Sequence, residues 1–380
     1  MRILHYVEGR CNPDTANGVD KTIYFLCREQ ARLGNEVHLI STTDKELVPL
    51  EGVTMHRIRP IRSPFSRPAA VSRLLDDLGP HVIHLHSAYV PGNVVLARMA
   101  RARRIPYVVT PNGNCSATLL RRRPWLKIPY KYLLERPMMN RSAFVHSVGD
   151  TAQISGYGVT VPVVVGLNGM DLSCIPGDLD PRWIVRRYPE WVGRCVFVYI
   201  GRLDIEQKGL DLLLQAFAGL QSEHSGAALL LVGPEWQGSI SRLEAMIGEL
   251  GLDGAVKFHG PAFGQEKFEL LRAADVFVHA SRWEGLPFAV VEAMAVGAAC
   301  VVTRAADPAG LLEANHAGIV SEISTSGFRA ALAEALAAGP DTRAALGRSA
   351  RGVVEREMRW DHSAALVCEG YRKHCIGAAG

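Results

Sequence analysis

Short apolar runs alternate with amphipathic stretches along almost the whole chain, and this rhythm most restricts how it can fold. Residues 1–7, 36–41, 81–86 and 107–110 read as buried strands. Between the first two, Val19, Ile23, Leu26, Gln30 and Leu33 recur at spacings of three and four, one face of a helix, and Gly34 supplies its stop. Strand, helix, strand at this spacing implies a parallel sheet with helices on both faces. The rhythm breaks over 167–191, rich in Gly, Pro and Asp, which reads as a linker, and restarts with strands at 195–200, 228–232, 256–259, 276–279 and 299–303. The expected fold class is α/β, two doubly wound Rossmann-like domains facing across a cleft. The domains are 1–178 and 179–359, with an amphipathic C-terminal helix in 360–380 crossing back to the first. Ligands of such sheets sit beyond the carboxyl ends of the strands, and the cleft between two of them is the expected site.

Composition removes several function classes. Of 380 residues, 48% are hydrophobic and 21% charged, enough for real cores and too apolar for a disordered chain. Lys+Arg 42 against Asp+Glu 38 leaves +4, too little for a nucleic-acid coat, and no nucleic-acid partner is expected. The longest weakly polar run, 286–302, has Glu292 in it and is shorter than the roughly 20 residues of a membrane helix. The first residues lack the h-region and cleavage site of a signal peptide. Eight cysteines show no Cys-x-x-Cys and no zinc spacing, so reduced thiols and a cytoplasmic location are expected.

Two carboxylates stand out in the second half. Glu284-Gly285-Leu286-Pro287-Phe288-Ala289-Val290-Val291-Glu292 follows the strand 276–279, and Pro287 suits the first turn of a helix. With a helix starting near Leu286, Glu284 lies in the entry loop and Glu292 about 1.5 turns along. One carboxylate then reaches a sugar and the other a ribose, while the amides of Phe288 and Ala289 face a phosphate. Glu292 is flanked by Val290, Val291, Ala293 and Met294, where an unpaired carboxylate is costly; the plain alternative is a solvated helix face. Gly201-Arg202-Leu203 follows the strand 195–200, and Lys208-Gly209-Leu210-Asp211 opens the next helix. Arg202 and Lys208 thus stand at a strand's carboxyl edge, where two cations converge on a diphosphate and stabilise the charge of a departing nucleotide. An ordinary surface Arg and Lys is the competing reading.

These motifs, together with Leu231-Val232-Gly233-Pro234 and Ala293-Met294-Ala295, resemble the C-terminal domain of the GT-B retaining glycosyltransferases, family four. The first half agrees. Asn17-Gly18-Val19-Asp20 resembles the family's glycine pair and acidic residue opening the first helix. His81-Val82-Ile83-His84-Leu85-His86 is similar to its D-V-V-H-x-H strand, and Asn168-Gly169-Met170-Asp171 to its N-G-V-D. The resemblance implies transfer of a sugar from a nucleoside diphosphate donor with retention at the anomeric carbon and without a metal or other cofactor. It implies that Arg202 and Lys208 bind the diphosphate, Glu292 the ribose and Glu284 the transferred sugar, with Gly285, Leu286, Pro287 and Phe288 lining the donor site. Gly18 would allow close approach of phosphate or acceptor. Asp20, His86 and Asn112 are acceptor-side candidates.

The chain departs from the family pattern at Pro111-Asn112-Gly113, where a histidine is frequent. Asn112 can bond a sugar hydroxyl but accepts no proton near neutral pH, which favours a leaving phosphate oxygen as the acceptor's base. Asp150 stands where Glu is frequent, and the loop 303–313 lacks the usual glycine-rich form. Asp178-Leu179-Asp180 resembles a metal-binding D-x-D but sits in the linker and reads as a solvated turn. His84 and His86 share a strand face, with His81 nearby; lacking a third ligand at local spacing, they imply no metal, and His86 is expected as a polar contact in the cleft. No Gly-x-Gly-x-x-Gly occurs, which argues against a dinucleotide oxidoreductase. Asn114-Cys115-Ser116 fits a glycosylation sequon without a secretory signal.

Over 98–141, Lys or Arg stand at 98, 101, 103, 104, 121, 122, 123, 127, 131, 136 and 141 against the single acid Glu135, interleaved with Trp125, Leu126, Ile128, Tyr130, Tyr132, Leu133 and Leu134. Such a stretch can lie on an anionic membrane, at about 1 kcal/mol per cation, or form a charged helix face. The reading is a retaining, metal-independent hexosyltransferase acting on a saccharide or lipid-linked acceptor in bacterial-type surface polysaccharide, lipopolysaccharide or glycolipid synthesis, cytoplasmic and peripheral on the inner face of the membrane. A sugar-nucleotide epimerase or hydrolase of the same architecture, or a non-catalytic nucleotide-sugar-binding protein, are the alternatives.

Overall fold

The computed structural model describes residues 1–9, 11, 18–43, 47–112, 124–149 and 151–377. It divides into two compact units, Met1–Gly169 with Arg359–Gly380, and Met170–Met358. Each is a parallel sheet. In the first, seven strands run in the order β3-β2-β1-β4-β5-β6-β7. They are β1 (Arg2–Val7), β2 (Glu36–Thr42), β3 (Val53–Ile58), β4 (Val82–His86), β5 (Tyr107–Thr110), β6 (Val145–Ser147) and β7 (Val163–Val165). The second has six in the order β10-β9-β8-β11-β12-β13: β8 (Cys195–Ile200), β9 (Ala227–Val232), β10 (Val256–Gly260), β11 (Val276–His279), β12 (Cys300–Thr303) and β13 (Ile319–Ser321).

Strands buried on both faces need apolar residues at every position. In β8, Val196, Val198 and Ile200 enter one core cluster while Phe197 and Tyr199 enter the other, on the opposite face. In β1, Leu4 and Tyr6 part from Ile3 and Val7 in the same way. The strand order reverses beside β1/β4 and β8/β11. These topological switch points are where a doubly wound sheet opens a crevice at its carboxyl edge.

Four strands carry no apolar run long enough to announce them. β3 is an edge strand of half-exposed residues, and β6, β7 and β13 are three residues each. The expected linker at 167–191 is corrected over most of its length. Ile184, Tyr188 and Trp191 are buried in the core of the second unit, with Met170, Leu172, Ile175 and Leu179 packed on it. The Met170 N–H donates to the Met358 carbonyl at 2.8 Å, so the units part at Gly169/Met170 and Met358/Arg359 rather than at 178/179 and 359/360. Aromatic side chains scattered among Pro and Gly show no local period, which is why the segment looks like a tether.

The C-terminal helix Trp360–Tyr371 packs on the first unit. Ala364, Val367, Cys368 and Tyr371 join Ile23 and Cys27 of the helix Gly18–Arg32, and the Trp360 ring stacks on Phe25 at 5.3 Å. Among the described residues, no helix is long and apolar enough to cross a membrane.

Candidate functional site

The loops leaving β8 and β11 meet at the second unit's switch point. After β8, Asp204 caps the short helix Ile205–Lys208 by accepting from the Gln207 N–H at 3.0 Å. Gly209 then takes φ +62 before the helix Leu210–Glu223. A Cβ at Gly209 would stand 2.1 Å from the Ala280 carbonyl oxygen, so only glycine lets the two loops touch. Arg282 closes the junction with a fork onto Asp211 at 2.8 and 2.7 Å, and its own N–H donates to the Gln207 carbonyl. Thr303, at the end of β12, donates to the Ser281 carbonyl at 2.6 Å.

This junction brings Lys208 to Glu284. Lys208 Nζ, Ser281 Oγ and His279 Nε2 donate to one carboxylate oxygen, Glu284 Oε1, at 2.5, 2.6 and 3.2 Å. Burial by itself would raise the Glu284 carboxyl; the Lys208 charge and the His279 N–H overcome it and hold the group well below the carboxylate range. Burial lowers His279, so its ring is neutral, and because a carboxylate only accepts, the proton is on Nε2. Nδ1 is then a buried lone pair with no partner among the described residues, at a cost of about 1–3 kcal/mol.

Arg202 and Glu292 are held differently. The Arg202 guanidinium lies 4.4 Å from the Trp236 ring centroid and donates to Gln207 Oε1 at 3.3 Å, next in sequence to Lys208. Glu292, 6% exposed, accepts from Lys267 Nζ at 2.7 Å, so the helix carboxylate does have a cation. The helix expected to start near Leu286 begins at Phe288, with Pro287 extended at its N-cap. A proline disfavours helical geometry in the residue before it, and Leu286 instead packs its side chain into the core. Gly285 is half-buried in the entry loop and Pro287 is buried.

Sequence reasoning missed His279, Ser281, Gln207 and Lys267. The first two had a local signal: polar residues ending and just following the apolar run Val276-Phe277-Val278. Lys267 had none, being on another helix.

In the first unit, Gly18 opens the helix Gly18–Arg32 and Asp20 is buried in its first turn. Asn112, at φ +51 beyond β5, has both side-chain polar atoms buried without partners among the described residues. Asn17, Gly113, Asp150, the sequon 114–116 and Arg121, Arg122 and Arg123 lie outside the described residues.

His86, expected as a polar contact in the cleft, is wholly buried in the sheet. The third imidazole absent from local spacing comes from β1, where His5 pairs in register with His84. Nitrogens of His5, His84 and His86 lie within 4.8 Å of one another. All these rings, and His146, have pKa values lowered by burial, so each carries one proton.

Its position follows from one carbonyl. Gly166 C=O accepts from His146 Nε2 at 2.9 Å, so His146 Nδ1 accepts from Thr110 Oγ1 at 2.8 Å. Thr110 accepts from His84 Nε2, and His84 Nδ1 accepts from the Tyr371 hydroxyl, both at 2.5 Å. Tyr371 accepts from Gln30 Nε2 at 3.3 Å, Gln30 Oε1 from His5 Nε2 at 2.7 Å, and His5 Nδ1 from His86 Nε2 at 2.9 Å. Every ring nitrogen of the metal-like trio except His86 Nδ1 is engaged, so a cation there would have to displace these bonds.

The basic stretch is not a uniform coat. Lys131 is buried with its Nζ 4.2 Å from the Tyr157 centroid, and Arg103 forks onto Asp76. Glu135 is buried, accepts from the Tyr89 N–H, and is pushed up to about 8 by desolvation. Trp125, Leu126, Ile128, Tyr132 and Leu133 are exposed, Trp125 at 76% and Leu133 at 74%.

Two parallel doubly wound sheets with polar and ionic clusters at their switch points define an α/β protein of the GT-B class. Residues 194–339 match the family model described as glycosyl transferases group 1, and 17–154 that of a glycosyl transferase 4-like domain. The chain belongs to the glycosyl transferases group 1. It is 34% identical over 128 residues to mannosylfructose-phosphate synthase of Agrobacterium fabrum, a match spanning 32% of this chain and 28% of that one. It is 27% identical over 344 residues to phosphatidyl-myo-inositol mannosyltransferase of Mycobacterium leprae, spanning 86% and 84%. Sucrose-phosphate synthase of Thermosynechococcus elongatus superposes with a TM-score of 0.79 at 17% identity, covering 100% of this chain and 99% of that one. That likeness is one of fold.

Proposed function

We propose that this protein is a retaining, metal-independent glycosyltransferase that moves a hexose from a nucleoside diphosphate sugar to a saccharide or lipid-linked acceptor in surface polysaccharide or glycolipid synthesis. The observation that carries the reading is the Lys208–Glu284 pair, buried at the switch point of the second sheet beside Arg202. Lys208 and Arg202 take the diphosphate, Glu284 a hydroxyl of the sugar, and Glu292 the ribose. On the second unit Gly285 and the backbone from Leu286 to Phe288 line the donor, and on the first Asp20 and Asn112 serve the acceptor. The acceptor oxygen bonds to the anomeric carbon on the face from which the phosphate departs. The sugar–phosphate C–O bond breaks, its electron pair stays on the phosphate, and that oxygen takes the acceptor's proton. The two cations stabilise the charge so released, worth several kcal/mol in a dry site. The mannosyltransferase relative supports the sugar donor and a lipid-type acceptor.

Lys208→Ala, checked for folding by circular dichroism, is expected to lower transfer by about 100-fold or more with EDTA present throughout. Wild-type turnover, or free or epimerised sugar as the main acceptor-independent product, would replace this reading. The exposed Trp125, Leu126, Ile128, Tyr132 and Leu133 beside Lys127 support a peripheral seat on the inner face of a membrane. Trp125→Ser with Leu133→Ser should abolish co-sedimentation with phosphatidylglycerol vesicles while leaving transfer to a soluble acceptor unchanged.

A further inference from the structure

His279 ends β11 with its imidazole packed near-parallel to two aromatic rings, Tyr199 at 5.4 Å and Phe277 at 6.0 Å, both at 14°. An apolar ring would fill such a slot without leaving a polar atom unmatched. The imidazole instead buries an Nδ1 lone pair that has no partner among the described residues. Among the described residues its polar contact is Nε2–H to Glu284 Oε1, the oxygen that already accepts from Lys208 and Ser281. A carboxylate oxygen offers about two lone-pair directions, so three donors fill Oε1, and whatever else bonds Glu284 does so through Oε2. Of the three donors, Lys208 sits on a flexible stem and is the one that a diphosphate would draw away. The stacked His279 ring cannot follow.

We propose that His279 is a positioning residue for recognition of the sugar part of the donor: it clamps Glu284 Oε1 so that the carboxylate keeps its orientation when Lys208 turns to the diphosphate. This rests on the role given to Glu284 above. The clamp acts on the sugar and not on the nucleotide, which makes it separable from a general structural role.

Calorimetric titration with UDP, GDP and ADP and with the glucose and mannose esters of each first identifies the pair that binds the wild-type protein. For that pair, His279→Phe is expected to weaken the sugar ester about tenfold, the worth of one hydrogen bond to a charged group, and the bare diphosphate less than twofold. His279→Gln, which restores an N–H donor, should recover most of the loss. His279→Leu replaces the Phe variant should that one not fold. Equal weakening of ester and diphosphate, or none of either, overturns the proposal. Glu284→Gln run alongside tells the two failures apart. If it too leaves the ester-to-diphosphate ratio unchanged, or no pair binds, the reading of Glu284 itself fails. If it shifts the ratio and His279→Phe does not, only the clamp fails.

Discussion

A neutral imidazole has one proton to give and one lone pair to fill, and β1, β4 and β6 of the first unit bury His5, His84, His86 and His146 almost completely. Unfolded, these rings titrate at 6.5; in the fold, His5 and His146 are lowered to about 4 and His84 and His86 well below their ordinary value, by burial first. Between those values the unfolded chain holds the extra protons. Their stabilising contribution is therefore complete above pH 6.5 and is lost as pH falls toward 4, by about 3 kcal/mol each for His5 and His146. Urea unfolding followed by circular dichroism from pH 7.5 to 4.5 should show this decline, and a flat profile through that range would contradict the lowering of these rings by burial. At the same scale, Arg202, Lys208, Glu284 and Glu292 were legible because a polar residue at the end of an apolar strand, or within an apolar helix, is locally conspicuous. Their partners were not. Lys267 reaches Glu292 and Trp236 reaches Arg202 only because separate elements are neighbours in space.

Among elements, the C-terminal helix is the one whose seat a single side chain can test. The Tyr371 hydroxyl donates to His84 and accepts from Gln30, linking the helix Trp360–Tyr371 to β4 and to the helix Gly18–Arg32. Tyr371→Phe removes both bonds without changing the ring's packing, and leaves a buried lone pair and a buried N–H unmatched. The expected cost is about 2–3 kcal/mol, read as a lower urea midpoint with an unchanged slope. A loss within a few tenths of a kcal/mol would mean that apolar contacts alone hold the helix. The elements that sequence reasoning found were those long enough to show a period. It missed β6, β7 and β13, whose three residues each cannot display one, and β3, whose edge position exposes it.

Over the whole molecule, the amino-acid order by itself determined two parallel sheets, their central strands, and the loops at whose carboxyl ends the charged residues gather. Burial on both faces demands unbroken apolar runs, and that demand is written locally. Tertiary structure alone decided that most of the supposed linker belongs to the second core, that His86 faces inward, and that His5, His84 and Tyr371 share one chain of hydrogen bonds. Those outcomes depend on which strands lie side by side, and residues such as His84 and Tyr371, far apart along the chain, meet only after the sheet order is set. Short-range patterns report a residue's own environment; the identity of its partner is a property of topology.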